Sequence, residues 1–162
     1  MNSEKMPITV AGYRKILAEF DFLKNKERPI VVKTIEWARS NGDLSENGDY
    51  IYAKKKLREI DSRLEYLSKR IQNYQVIDPE TLSSDKVTFG ASVKVFDFSL
   101  NCEKVFKIVG EDESDPSHGK ISYLSPIAKA LIGKKSGDLV EVKTPKGSVE
   151  FEILEIAFKK ID

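Results

Sequence analysis

The sequence predicts an α+β protein in two parts: an N-terminal antiparallel α-helical coiled-coil hairpin over residues 1–75 and a small antiparallel β-sheet domain with one short helix over 85–162, joined by a linker at 76–84. Three observations carry this. Tyr50, Ala53, Leu57, Ile60, Leu64, Leu67, Ile71 and Tyr74 recur at intervals alternating three and four, an unbroken heptad seam. Upstream, Tyr13, Leu17, Phe20 and Leu23 share a helical face. Beyond Val76 the pattern shortens into β-rich runs separated by turn residues.

Thr9 is a plausible N-cap for the first helix, before VAGYRKILAEFDFLK. Pro29 removes a backbone donor and clashes one turn back, so it kinks this helix or starts a new one. Val31, Ile35 and Ala38 then resume the stripe in a shifted phase. The second helix, carrying the heptad seam, would be roughly 37 Å long. Its stripe is too narrow to bury itself, so the two helices are expected to pair as a hairpin, with a tip at 41–49. QVIDPETLSSDK reads as linker. Strands are expected at 91–98, 104–109 and 120–124, followed by a short helix in SPIAKALIG that stops at Gly133. DLVEVKT and SVEFEILEIAF, joined through PKG, read as a β-hairpin.

Composition narrows the function. A third of the 162 residues are charged, and no apolar run is long enough to span a bilayer. The N-terminus lacks a signal-like apolar stretch, so a cytoplasmic location is expected. A single cysteine, Cys102, excludes an internal disulfide and a thiolate-rich zinc site. A single histidine, His118, in a loop-like stretch, argues against a histidine metal cluster or a serine-type triad. Residues 1–74 carry a net charge of +4 and residues 75–162 a net charge of −3. Nucleic-acid contact should therefore be local rather than spread over a duplex-binding face.

Three motifs stand out. The tip, NGDLSENGDY, holds Asp43 and Glu46 in the pattern of a capping box, with Asp43 as N-cap. The same carboxylates would also form a hard, oxygen-only partial ligand set for Mg²⁺. Both readings stand, because a cap can fix the geometry that a ligand needs. Next, Lys54, Lys55, Lys56, Arg58 and Arg63 lie off the seam within a few turns of the tip. They form either a solvated face, with Lys55–Glu59 and Arg58–Asp61 pairs, or a patch for a single-stranded phosphate backbone. Tyr50 or Tyr52 could add stacking to such a patch. Third, Ser125-Pro126 is a good helix start.

These segments, in this order, resemble the GreA/GreB family of bacterial transcript cleavage factors. The resemblance covers nearly the whole chain, from PITVAGYRKILAEFDFLK through ERP, GDLSENGDY and FGASVKV to SPIAKALIG, GD and TPKGSVEFEI. The basic run DYIYAKKKLREIDSRLEYL looks more like GreB. The resemblance implies an FKBP-like C-terminal domain that docks on bacterial RNA polymerase through Ser125, Pro126 and Ile127. It implies a coiled coil that enters the secondary channel, where Asp43 and Glu46 help hold a catalytic Mg²⁺ jointly with the polymerase. No cofactor would be tightly bound to the isolated protein. The polymerase, not this protein, then hydrolyses the backtracked RNA 3′ end. Lys54, Lys55, Lys56 and Arg58 would meet that RNA or the channel wall, and the factor would act as a monomer. Gly48 stands where relatives usually carry Ala, and Leu124 where they carry Asp or Asn. Two alternatives remain: a channel-binding inhibitor without cleavage, and a prolyl isomerase by fold analogy. The second is weakened because Phe89, Phe96, Phe98 and Phe106 read as core.

Overall fold

The opening helical run changes pitch where the sequence places its proline. A computed structural model describes residues 5–40 and 47–162. In it α1 (Val10–Phe22) leads into a π-helical turn, Leu23–Glu27, and then α2 (Arg28–Ser40). Arg28 N–H donates to the Leu23 carbonyl, five residues back. The wider turn lies just before Pro29, whose ring would clash with a carbonyl in a regular helix. It also inserts one residue, which accounts for the phase shift between the two halves of the stripe. The buried side is set by Ile16, Ile35 and Ala38, with Phe20 and Leu23 partly covered. Leu17, expected on that face, is exposed. The tighter three–four spacing of Tyr13, Ile16, Phe20 and Leu23 puts Ile16 inside instead.

The chain divides into two units, one over Arg14–Asn73 and the other formed by residues 5–13 with Tyr74–Asp162. In the first, α2 packs on α3 (Gly48–Asn73), a helix about 39 Å long. Ala53, Ile60 and Leu67 are fully buried at seven-residue intervals, and Tyr50, Leu57, Leu64 and Ile71 are half-buried between them. Among the described residues, ion pairs link the helices at Arg63–Glu19 (2.6 Å), Arg28–Asp61 (2.8 Å) and Lys56–Glu27 (3.1 Å). Low residue numbers meet high ones, so the hairpin is antiparallel. Exposed pairs of this kind add little stability each, but they favour one register.

The second unit joins distant parts of the chain. β1 (Met6–Thr9) pairs in parallel with β2 (Tyr74–Ile77), Ile8 opposite Val76. Tyr74, read from sequence as the end of the seam, thus opens a strand, and the stretch read as linker from residue 76 begins inside it. The remainder of that stretch includes a 3₁₀ turn, Pro79–Thr81, capped by the Asp78 carboxylate. A five-stranded sheet follows in the order β5-β4-β3-β7-β6, built from β3 (Ser92–Asp97), β4 (Cys102–Val109), β5 (Lys120–Ser122), β6 (Leu139–Thr144) and β7 (Gly147–Ala157). The sheet is mixed rather than antiparallel, because β5 runs parallel to β4 after a 3₁₀-rich crossover. A bulge at Leu154 shifts the β3–β7 register between Lys94 and Val95. The inner face (Val93, Val95, Phe106, Phe151, Ile153) packs with Ala128 and Leu131 of α4 (Pro126–Leu131). Of the four phenylalanines read as core, Phe106 belongs there and Phe89 is half-buried against Tyr123. Phe96 and Phe98 alternate onto the outer face.

One carboxylate is buried in this sheet. Asp97 accepts from Ser99 N–H at 2.8 Å and Leu100 N–H at 3.2 Å, and it pairs with Lys104 at 3.1 Å. Burial pushes its pKa up, but the Lys104 ammonium and the two turn amides outweigh that and hold it below the usual carboxylate range. A depressed folded pKa gives stability that is present above the unfolded value, near 3.9, and lost as pH falls through the folded value. Acid unfolding should therefore shift to lower pH in the wild type than in Asp97→Asn, which circular dichroism across a pH titration will show.

Candidate functional site

The tip acids Asp43 and Glu46 lie outside the described residues. What is described is the helix start beside them. α3 begins at Gly48, and the Asn47 side chain accepts from Tyr50 N–H at 3.2 Å. The cap of α3 is thus Asn47, the residue expected from sequence being Asp43. The acid nearest this start among the described residues is Asp49, in the first turn, where it complements the macrodipole. A methyl group added at Gly48 would meet no atom within 4 Å. Gly48→Ala should therefore raise hairpin stability by up to about 1 kcal/mol, read as a higher thermal midpoint.

The four basic candidates divide by their partners. Lys56 is paired with Glu27 across the hairpin, and this contact raises its pKa. Lys54 sits over the Tyr50 ring at 5.3 Å, and its hydrogen bond is the main cause of a lowered Tyr50 pKa. Asp61, expected to pair with Arg58, pairs with Arg28 instead. Lys55 and Arg58 line an open groove of about 650 Å³ along α3, with Glu59, Ser62, Arg63 and Tyr66. Arg63 and Arg70 both lie against the Tyr66 ring, at 5.3 and 5.5 Å. Sequence reading placed Arg63 in the basic run but missed Tyr66, which carries it on to Arg70. The recurrence of Arg58, Ser62 and Tyr66 every four residues was the available signal.

Ser125, Pro126 and Ile127 form the first turn of α4. The Ser125 hydroxyl accepts from Ala128 N–H at 3.2 Å, and Pro126 occupies the first helical position. Ile127 packs partly on the core, leaving Pro126 and Leu124 as the exposed apolar side chains of the segment. His118 is exposed in a turn, with Nδ1 at 2.6 Å from Asp115. The Ser117 hydroxyl, which donates to Asp115 at 2.7 Å, and then His118 hold the Asp115 carboxyl below its usual range.

Sequence reading also missed a junction around Glu113. Its carboxylate accepts from Thr9 N–H at 2.8 Å, Gly110 N–H at 2.8 Å and the Thr9 hydroxyl. Thr9 Oγ1 in turn accepts from Gly12 N–H at 3.1 Å, so Thr9 caps α1 as expected while Glu113 holds the cap. A Cβ at Gly12 would lie 2.2 Å from Glu113 Oε1, so a larger residue there would push the carboxylate out of these hydrogen bonds.

Both halves of the chain match known family models. Residues 6–76 match "Transcription elongation factor, N-terminal", and residues 82–158 match "Transcription elongation factor, GreA/GreB, C-term". Transcription elongation factor GreA of Helicobacter pylori (strain Shi470) is 50% identical over 161 residues, which cover 99% of this chain and 97% of that protein. The GreA of a Nitratiruptor species is 50% identical over 158 residues, covering 98% and 96%. Among solved structures, GreA factor homolog 1 (Gfh1) of Thermus thermophilus is 22% identical, covers 94% of this chain and 99% of its own, and has a TM-score of 0.44. The likeness to GreB read from the basic run gives way to these GreA relatives, which match from end to end. On the two family models and these relatives, the chain belongs to the GreA/GreB family of transcription elongation factors.

Proposed function

We propose that this protein binds bacterial RNA polymerase through its C-terminal unit and inserts the helical hairpin, as a coiled coil, into the secondary channel. There it stimulates hydrolysis of backtracked RNA by the polymerase. The observation that carries this is a long antiparallel hairpin whose acidic tip, Asp43 and Glu46, is not needed to cap α3, because Asn47 does so. The seven-residue spacing of buried Ala53, Ile60 and Leu67 supports the coiled coil. The mixed sheet with α4 on one face is compatible with the FKBP-like reading.

Among the described residues, no group of three or more His, Cys, Asp or Glu side chains could hold a metal ion. Two tip carboxylates alone form only part of a Mg²⁺ shell, so the rest would come from polymerase and RNA phosphate. Mg²⁺ bound there would stabilise the attacking and leaving oxygens of the phosphodiester. Asp43 and Glu46 supply anionic oxygens and can accept a hydrogen bond from the attacking water. Lys55 and Arg58, with Lys54 nearby, hold the extruded 3′ segment or face the channel wall, while Lys56 serves the hairpin itself. Leu124 and Pro126, flanking Ser125, give the docking segment an apolar contact, with Ile127 supporting it from the core. The protein is not an enzyme by itself; it works as a monomer in the bacterial cytoplasm.

The test is a backtracked elongation complex with a labelled 3′-unpaired transcript in Mg²⁺, with and without the protein. Faster cleavage, in shortened 5′ transcripts that resume extension, supports this function. Binding without acceleration would instead make the protein a channel-blocking inhibitor, the second reading from sequence.

A further inference from the structure

We propose that the outer face of the five-stranded sheet is a docking surface for a basic protein segment that brings an apolar side chain to the Phe96–Phe98 pair. The inner face already holds the core, so the outer face is not needed to fold the unit. Register places two rows of side chains on it. In one, Phe96 lies opposite Glu103 on β4 and Glu152 on β7, and Glu152 lies opposite Leu139 on β6. In the other, Phe98, whose N–H donates to the Glu150 carbonyl at 3.1 Å, leads to Glu150, and Glu150 lies opposite Glu141. The Phe96 and Phe98 rings meet edge to face at 5.2 Å. Phe98 is 49% exposed and Leu139 60% exposed.

The far end of the same face is covered. Lys120 shares its row with Lys107, and its ammonium donates to the Asp162 carbonyl while Ile161 is buried. The Phe96–Phe98 end has no such cover among the described residues. Its charges choose the occupant. Glu103 is paired with Lys94 at 3.3 Å, but Glu141, Glu150 and Glu152 have no ion-pair partner among the described residues. Glu141 and Glu150 stand directly opposite each other, an arrangement that opposes strand pairing. A basic segment would relieve that repulsion and could lay lysine or arginine over the aromatic faces. Two half-exposed rings, with exposed Leu139 two strands along the same row and charge between and around them, have the composition of an interface centre. The surface lies on the face of the sheet away from α4, and does not rest on the polymerase reading.

The probe is a short labelled peptide of alternating lysine and leucine, followed by fluorescence anisotropy with the full chain. Binding is expected, with Phe98→Ser and Glu150→Lys each weakening it about tenfold. Glu150→Lys turns a repelling cross-strand pair into an attracting one, so its thermal midpoint should rise while its affinity falls. A lysine–serine peptide should bind about tenfold more weakly, for want of the apolar anchor. Glu80→Lys, the same charge change in the exposed 3₁₀ turn outside the sheet, should stay within about twofold. Absence of binding, equal losses from Glu80→Lys and Glu150→Lys, or equal affinity for the serine peptide would overturn the proposal. So would a dimer in sedimentation that Phe98→Ser dissolves, since the occupant would then be a second copy of this chain.

Discussion

Asp43→Asn is expected to slow stimulated transcript cleavage by about a hundredfold or more, equivalent to roughly 3 kcal/mol of lost transition-state stabilisation. The substitution keeps size and most hydrogen bonding but removes the anionic charge, and Mg²⁺ demands hard charged oxygen. Binding to polymerase and thermal stability should be unchanged, because the described cap of α3 is Asn47 and the proposed docking turn lies at residues 124–127. Glu46→Gln should act in the same direction. Raising Mg²⁺ should partly restore the variants, since a weakened site fills by mass action. A variant that cleaves at the wild-type rate would show that Asp43 is no ligand. A fall in both cleavage and affinity would show instead that it shapes the tip.

The largest effect on stability is expected from Glu113→Ala, about 3 kcal/mol. One carboxylate satisfies two backbone amides and a hydroxyl, and Thr9 is fully buried, so its groups cannot turn to bulk water when the acceptor is removed. For a unit of this size the thermal midpoint should fall by roughly 10–20 °C. Glu113→Gln should lose less, since it keeps an acceptor oxygen but puts an amide where the second oxygen was. Calorimetry on the three proteins distinguishes the cases. A midpoint for Glu113→Ala within a degree or two of wild type would mean that the junction contributes nothing to folding.

The sequence made some of these features plain and hid others for physical reasons. The seam of α3 was readable because heptad spacing is a local property, and Ala53, Ile60 and Leu67 are buried where it put them. The β6–β7 hairpin was readable because turn residues and alternation lie within one short window. Leu17 was misplaced because leucine is the more familiar core residue, whereas burial followed the phase that fits Ile16. The parallel strands and the Glu113 junction were hidden because their partners lie far apart in the chain, Thr9 and Glu113 being separated by 104 positions. No local pattern marks which glutamate will be drawn inward. At the candidate site, sequence supplied the acids and the basic run. It could not show that Lys56 commits its charge to Glu27, or that Tyr66 extends the groove past Arg58.

The parallel pairing of β1 with β2 makes residues 10–73 a closed loop, with its two ends tied at Thr9 and Tyr74. Closing a loop of that length from a disordered chain carries an entropy cost of roughly 4 kcal/mol, rising only slowly with length. A folded hairpin returns the chain close to its origin and removes much of that cost, so pairing within the helices and pairing at the strands reinforce each other. A cavity cut into the seam at Leu67 should then speed amide exchange in Ile8 as well as in α3. For the same reason, heptads could be added to or removed from the loop at little cost to the strands that close it. The number of heptads between the two strands is thus free to change, provided that the hairpin stays folded.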